Sequence, residues 1–174
     1  MAGLINQTVK DPMLRAIAQR VESTIKPEMK KEYQSSIVAG MKLMWSPKTH
    51  QMMLDYLKLI KTPEDIPKII GHGIVKMASI IVNKSGRQDV MPGIAPASIV
   101  LMTHALEFVE KRLGMDITKE IADATTKAVS QGIFEMYKIT PEQIDQAVQK
   151  RSGKPDAAPS TPPAAPPAPP QPTM

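Results

Sequence analysis

An all-α fold is what this chain predicts, and three observations carry the prediction. Cap-plus-proline starts recur at Asp11-Pro12, Ser46-Pro47, Thr62-Pro63 and Thr140-Pro141. Between them, apolar residues return at three- and four-residue intervals, the spacing of one helix face. No stretch between turn signals shows the sustained apolar/polar alternation of a half-buried strand. The expected architecture is a compact multi-helix bundle or orthogonal array of about seven helices, closed by a disordered Pro/Ala-rich tail. The expected boundaries are an N-terminal arm over 1–10, a helical domain over 11–153 and the tail over 154–174.

Each helix has its own signals. Asp11 places a side-chain acceptor before Pro12, and Leu14, Ile17, Val21 and Ile25 follow at helical spacing. Pro27 starts the second helix, since its ring fixes φ and removes a donor that would be unpaired there. Its stripe is Met29, Tyr33, Ile37, Met41 and Met44. Ser46-Pro47 opens the third, with Met53, Leu57 and Ile60 facing one way. Thr62-Pro63-Glu64-Asp65 opens the fourth and adds carboxylates where the helix dipole favours them. Here Lys68, His72, Lys76, Ser79 and Asn83 form a polar stripe opposite Ile70, Ile74, Met77 and Ile81. Gly71 and Gly73 each cost about 1 kcal/mol against Ala in a helix, which predicts a backbone passing close by.

Ser85 to Pro92 reads as a loop, and Pro96 as the start of a helix with a seam of Ile99, Met102, Leu106, Val109 and Leu113. Gly114 ends it. Thr118 caps the next helix, with Ile121, Thr125, Ala128, Gly132 and Met136 on one side. Thr140 and Gln143 have the spacing of a capping box for a last helix fading at Gly153. The tail from Lys154 holds nine of the 17 prolines and lacks the apolar residues for a core.

Composition excludes several chemistries. The 174 residues include no Cys, which removes disulfides, thiolate nucleophiles and cysteine metal sites. The chain has 13 Met but only one Trp, three Tyr and two Phe, so its apolar faces are adaptable rather than aromatic. The most apolar stretch, Ile66 to Val82, contains Lys68, His72 and Lys76 and is too short and charged to span a bilayer. Met1 to Asn6 lacks a basic region followed by an apolar stretch, so no secretory leader is expected there. There is no Gly-x-Ser-x-Gly elbow, and the three His lie far apart at 50, 72 and 104. His104 and Glu107 make a single i, i+3 pair, where a bundle di-metal site needs two Glu-x-x-His pairs and two more Glu. A solvated face is the reading for that pair. Gly71-His72-Gly73 and Ser85-Gly86-Arg87 lack the spacing of a phosphate loop. No enzymatic activity, cofactor or small-molecule substrate is therefore expected.

The charge is unevenly placed. Residues 1–61 hold ten Lys/Arg against five Asp/Glu, equal to the whole net charge of +5. Arg15, Arg20, Lys26, Lys30, Lys31 and Lys42 are the candidate contacts to phosphate or another anionic partner. They would bind nucleic acid non-specifically and in a salt-dependent way. The competing reading is a solvated basic helix face. Aromatic stacking residues are few, and no helix-turn-helix signature stands out.

Residues 37–57, IVAGMKLMWSPKTHQMMLDYL, carry Ala39-Gly40-Met41-Lys42, then Trp45, Pro47, Thr49-His50 and a Met/Leu run. Later come Met91-Pro92, Ile94 to Pro96 before an apolar helix, Gly132-Ile133 and Ile139-Thr140-Pro141-Glu142. This pattern resembles that of small virion-associated structural or internal proteins of tailed bacteriophages. The resemblance touches most of residues 10–148. It implies a virion component made in the host cytoplasm, with an internal-head, ejection or portal/tail-associated role. It also implies self-association and packing against other virion proteins, and no catalytic residues. The alternative from the residues alone is a small basic helical adaptor or regulator, binding nucleic acid or a host protein through its N-terminal helices.

Overall fold

The computed structural model describes residues 9–85, 91–140 and 142–143, and only the backbone of Lys48, His50, Met52, Met91 and Pro92. The expected tail, the first eight residues of the expected arm, most of the loop after Ser85 and the body of the last helix lie outside the described residues. The chain divides into two units, Met1–Ile139 and Thr140–Met174. The described part of the first is all-α, with six α-helices and no strand. These are α1 (Pro12–Ser23), α2 (Lys30–Trp45), α3 (Pro47–Leu57), α4 (Ile66–Ser85), α5 (Met91–Leu113) and α6 (Lys119–Met136). Single 3-10 turns, Pro27–Met29 and Pro63–Asp65, lead into α2 and α4.

The local signals act largely as read. Asp11 Oδ1 accepts the Leu14 N–H at 2.8 Å, and Thr118 Oγ1 accepts the Ile121 N–H at 3.4 Å. The Asp65 carboxylate accepts the N–H groups of Lys61 at 2.9 Å and Thr62 at 3.0 Å. Gly114 sits at φ +66 and donates its N–H to Glu110 O at 2.9 Å, closing α5. In the second unit, Thr140 N–H donates to Gln143 Oε1 at 3.1 Å and Gln143 N–H returns to Thr140 Oγ1 at 3.4 Å. Ser46 works differently from its expected cap. Its side chain takes no backbone N–H and instead lies 3.0 Å from Thr49 Oγ1, which reaches back to the Leu43 carbonyl.

α5 is the central helix: α1, α2, α4 and α6 all pack on it. Every residue from Val100 to Glu107 is buried, so α5 has no single seam. A helix covered on all sides is expected to be apolar all round. Its hydroxyls are absorbed by its own backbone, Ser98 donating to Ile94 O at 2.8 Å and Thr103 to Val100 O at 2.7 Å. The expectation that Pro96 opens this helix is corrected, since α5 begins at Met91 with Pro96 inside it. Pro96 forfeits only the bond to the carbonyl four residues back, in the second turn, while the first turn is held by docking. A β-carbon on Gly93 would stand 2.6 Å from the Tyr33 nitrogen and 2.7 Å from the Glu32 carbonyl carbon.

Glycines set the helix pairing. A β-carbon on Gly40 of α2 would overlap the Leu101 side chain of α5, so this pair carries one glycine contact from each helix. The contacts advance in the same sense, Tyr33 to Gly93 and then Gly40 to Leu101, so α2 and α5 run parallel. α4 and α6 repeat the device. A β-carbon on Gly71 would lie 2.8 Å from Ala128 Cβ, and one on Gly132 would lie 2.5 Å from Val75 Cγ2. This pair is also parallel. Gly73 does not share the role, because a β-carbon there would meet nothing within 4 Å. The buried line of α6 is Ala122, Thr125, Val129 and Ile133, which corrects the predicted face by about one residue.

Most of the core is one cluster centred on Leu14, Met44, Ile66, Met102, Leu106 and Val129. A second, smaller one joins Ala18 of α1 to Tyr33, Ile37, Ala97 and Val100. Val9 is fully buried in the main cluster, so the end of the expected arm belongs to the core.

Candidate functional site

The six basic candidates do not form one patch. Arg15 is engaged internally, with Nε donating to Val9 O at 2.9 Å and Nη2 to Lys10 O at 3.3 Å. Its guanidinium stitches the chain's entry into α1. Arg20 is exposed in the last turn of α1, and Lys26 is exposed just before the 3-10 turn. Lys30 opens α2 and lines a cleft shared with α1, beside Glu22, Gln34 and Tyr33. Burial and then the Glu22 charge push the Tyr33 hydroxyl up to about 12. Only Lys31 and Lys42 come together, on a groove between α2 and the end of α4. The structure adds Lys84 and Ser36 to that groove, neither of which the sequence pattern singled out. Lys84 stands one residue off the predicted polar stripe of α4, and Ser36 looks like any helical serine in the sequence.

His104 and Glu107 are not on a solvated face, which corrects the sequence reading. They are 5% and 6% exposed on α5. Glu107 is tolerated there because Oε1 accepts the Lys10 N–H at 2.6 Å and lies 2.9 Å from Lys111 Nζ. Burial pushes this carboxyl up, but the Lys111 and Lys10 hydrogen bonds outweigh it and hold the group below the usual range. Burial pushes the His104 imidazole down, opposed by the Glu107 charge, and its Nε2 is buried with no partner among the described residues. No three His, Cys, Asp or Glu side chains converge on a common point among the described residues. Glu107 therefore acts as an anchor for the chain before α1.

The third feature is apolar. A cavity of about 90 Å³ lies among α2, α3, α4 and α5, with Met44, Met53, Leu57, Ile74, Met77 and Phe108 on its wall. Gly73 opens onto it, which accounts for the empty space beside that residue. The Thr49 hydroxyl, also on the wall, is turned to the Leu43 carbonyl. A space so lined is expected to stay dry and to accept apolar groups. Phe108 connects it to the surface. Its ring meets Trp45 edge-on, with centroids 5.1 Å apart and planes at 84°, and Arg112 Cζ lies 5.6 Å from its centroid. Trp45 is 42% exposed, and Val38 on the same helix is 48% exposed.

No family model matches the chain, and no curated protein or solved structure matches it. No helix among the described residues is long and apolar enough to cross a membrane.

Proposed function

We propose that the chain is a non-enzymatic structural or assembly subunit of a bacteriophage particle, acting by self-association and by packing against other virion proteins. One observation carries the reading. The segment that resembles virion-associated proteins, residues 37–57, also forms part of the wall of the apolar cavity, with α4 and α5 supplying the rest. It folds as the end of α2, the Ser46 turn and α3. It supplies Met44, Met53 and Leu57 to the cavity wall and presents Trp45 and Val38 outward. A half-exposed tryptophan braced by a second ring is the type of anchor that dominates protein interfaces. Methionine walls adapt to a partner's shape. A particle subunit of this kind is made in the host cytoplasm and ends in the virion.

The test is direct. Mass photometry of the purified chain should show a defined oligomer, or mass spectrometry should find it in purified particles. Trp45→Ala should weaken that association while leaving the helical content intact. Monomers alone, together with absence from particles, would exclude the reading.

A further inference from the structure

A groove of about 490 Å³ runs between α2 and the C-terminal end of α4. Lys31 and Lys42 line it from α2 and Lys84 from α4, against a single acid among the described residues, Glu32. None of the three lysines enters an ion pair among the described residues. On the same lining is Ser36, 1% exposed, whose hydroxyl has no hydrogen-bond partner among the described residues. The buried hydroxyls of Ser98 and Thr103 on α5 bond to their own helix, whereas Ser36 shares its unpaired state with the Tyr137 hydroxyl among the described residues. Buried polar groups are almost always paired, and an orphan at the edge of a cationic groove marks a missing acceptor.

We propose that this groove binds the phosphodiester backbone of a nucleic acid without reading its sequence. The ligand must be anionic, because the groove carries an excess of ammonium groups and an unused hydroxyl donor. It must also be extended. Lys31 and Lys42 are eleven residues apart, about 16 Å along a helix that rises about 1.5 Å per residue. One phosphate cannot sit close to both without stretching each side chain along the axis, whereas a chain of phosphates meets them in turn. Base identity goes unread. Among the described residues the groove is lined by no Arg, Asn or Gln to read base edges and by no aromatic ring to stack a base. Its apolar walls, Ala39, Leu43 and Ile81, suit sugar and backbone carbon. The site is narrower than the basic region expected from the sequence. It excludes Arg15, Arg20, Lys26 and Lys30 and includes Lys84.

The test is fluorescence anisotropy with fluorescein-labelled oligonucleotides, single-stranded and duplex, titrated with the full chain at about 50 and 200 mM salt. Binding should weaken steeply with salt and be insensitive to base composition. The triple variant K31Q/K42Q/K84Q should lower the slope of log K against log salt by about 2 to 3, and should lose about tenfold or more in affinity at low salt. The charge-matched triple K26Q/K30Q/K68Q should keep the wild-type slope. S36A should weaken binding with the slope unchanged, and circular dichroism should show all variants helical. Absence of binding at low salt overturns the proposal, as does an equal loss in the two triples. Unchanged affinity in S36A overturns the role given to that hydroxyl. Two further arms identify other ligands. Full displacement by millimolar inorganic phosphate, with sulfate at equal ionic strength as control, would make the site one for a discrete phosphate. Capture by phosphatidylserine vesicles through the same lysines, without oligonucleotide binding, would make it a lipid-headgroup site. Oligonucleotide binding and particle membership fail separately, since neither requires the other.

Discussion

The backbone of Gly93 lies so close to that of Tyr33 that a β-carbon on Gly93 would stand 2.6 Å from the Tyr33 nitrogen. The obstacle is main chain, which cannot rotate aside as a side chain can. Gly93→Ala should therefore cost about 3 kcal/mol, the upper end of overpacking effects. Gly40→Ala, which meets the movable end of Leu101, should cost less, about 1–2 kcal/mol. Gly73→Ala, with nothing nearby, should stabilise by about 0.5–1 kcal/mol through helix propensity. Urea denaturation of the three variants checks the order, and a Gly93→Ala protein as stable as Gly73→Ala would refute the parallel docking of α2 on α5.

Glu107 should prove structural. Glu107→Gln keeps the shape but removes the charge that Lys10 N–H and Lys111 Nζ both address. A loss of about 1.5–3 kcal/mol is expected, the range for hydrogen bonds to charged groups. Hydrogen exchange at Lys10 and in the first turn of α1 should accelerate in the same variant. Unchanged exchange there would show that the carboxylate does not hold the entry to α1.

The fold should weaken in acid in two stages. The His104 imidazole is held below its ordinary 6.5 by burial, so in the window just under 6.5 the unfolded chain binds more protons than the folded one. Stability is complete above 6.5 and falls as pH drops through that window. Glu107 is held below 4.5, so its contribution is present above 4.5 and is lost as pH falls further. Tm measured from about pH 7.5 to 2 should show both declines, and His104→Gln should remove the first. A His104→Gln profile that still falls between about pH 6.5 and 5 would assign the first decline elsewhere.

Alkaline unfolding has a separate source. Tyr33, at about 12, keeps its proton after an unfolded tyrosine at 10.0 has lost it. Its stabilising effect is full below 10 and is lost as pH rises toward 12. Burial raises Tyr137 as well, so ultraviolet titration should resolve two of the three tyrosines as late-ionising, and Tyr33→Phe should abolish the step near 12.

Trp45 is the only tryptophan, so its emission reports on one ring contact. Phe108→Leu removes the edge-on partner while keeping an apolar side chain beside the cavity. The emission should shift to the red, and stability should fall by about 0.5–1.5 kcal/mol beyond the change in buried area. Unaltered emission would mean that the two rings do not meet in solution.

The parts of the fold legible in the sequence are those decided within one turn of chain. Asp11, Gly114, Thr118 and the Thr140–Gln143 box need only their near neighbours to act, and they act as read. Where distant elements decide, the pattern misleads. Pro96 looks like a helix start because its own turn favours one. Docking of Gly93 against α2 carries the helix back to Met91. His104 and Glu107 look solvated because polar side chains usually are, yet helices packed around α5 cover them and Lys10 supplies the missing donor. The basic cluster is continuous in sequence but divides where the Pro27 turn separates α1 from α2. Lys84, more than forty residues from Lys42, could join Lys31 and Lys42 only once α4 was laid across α2.

The glycine-matched pairs also determine when the chain can fold. Gly40 and Leu101 are 61 positions apart, and Gly71 and Ala128 are 57 apart. Neither pair is a hairpin of consecutive helices, so neither can form early as a local unit. Closing loops of this length costs entropy before any contact offsets it. A bundle of consecutive antiparallel helices avoids that delay, and this topology does not. A chain emerging from the ribosome would hold the inner faces of α2 and α4 uncovered until α5 and α6 had followed. Fragments ending before Lys119 would lack the partner of Gly71 altogether. Docking of α2 thus waits for α5 and docking of α4 for α6, and their inner faces must stay free of other partners until synthesis has passed those helices.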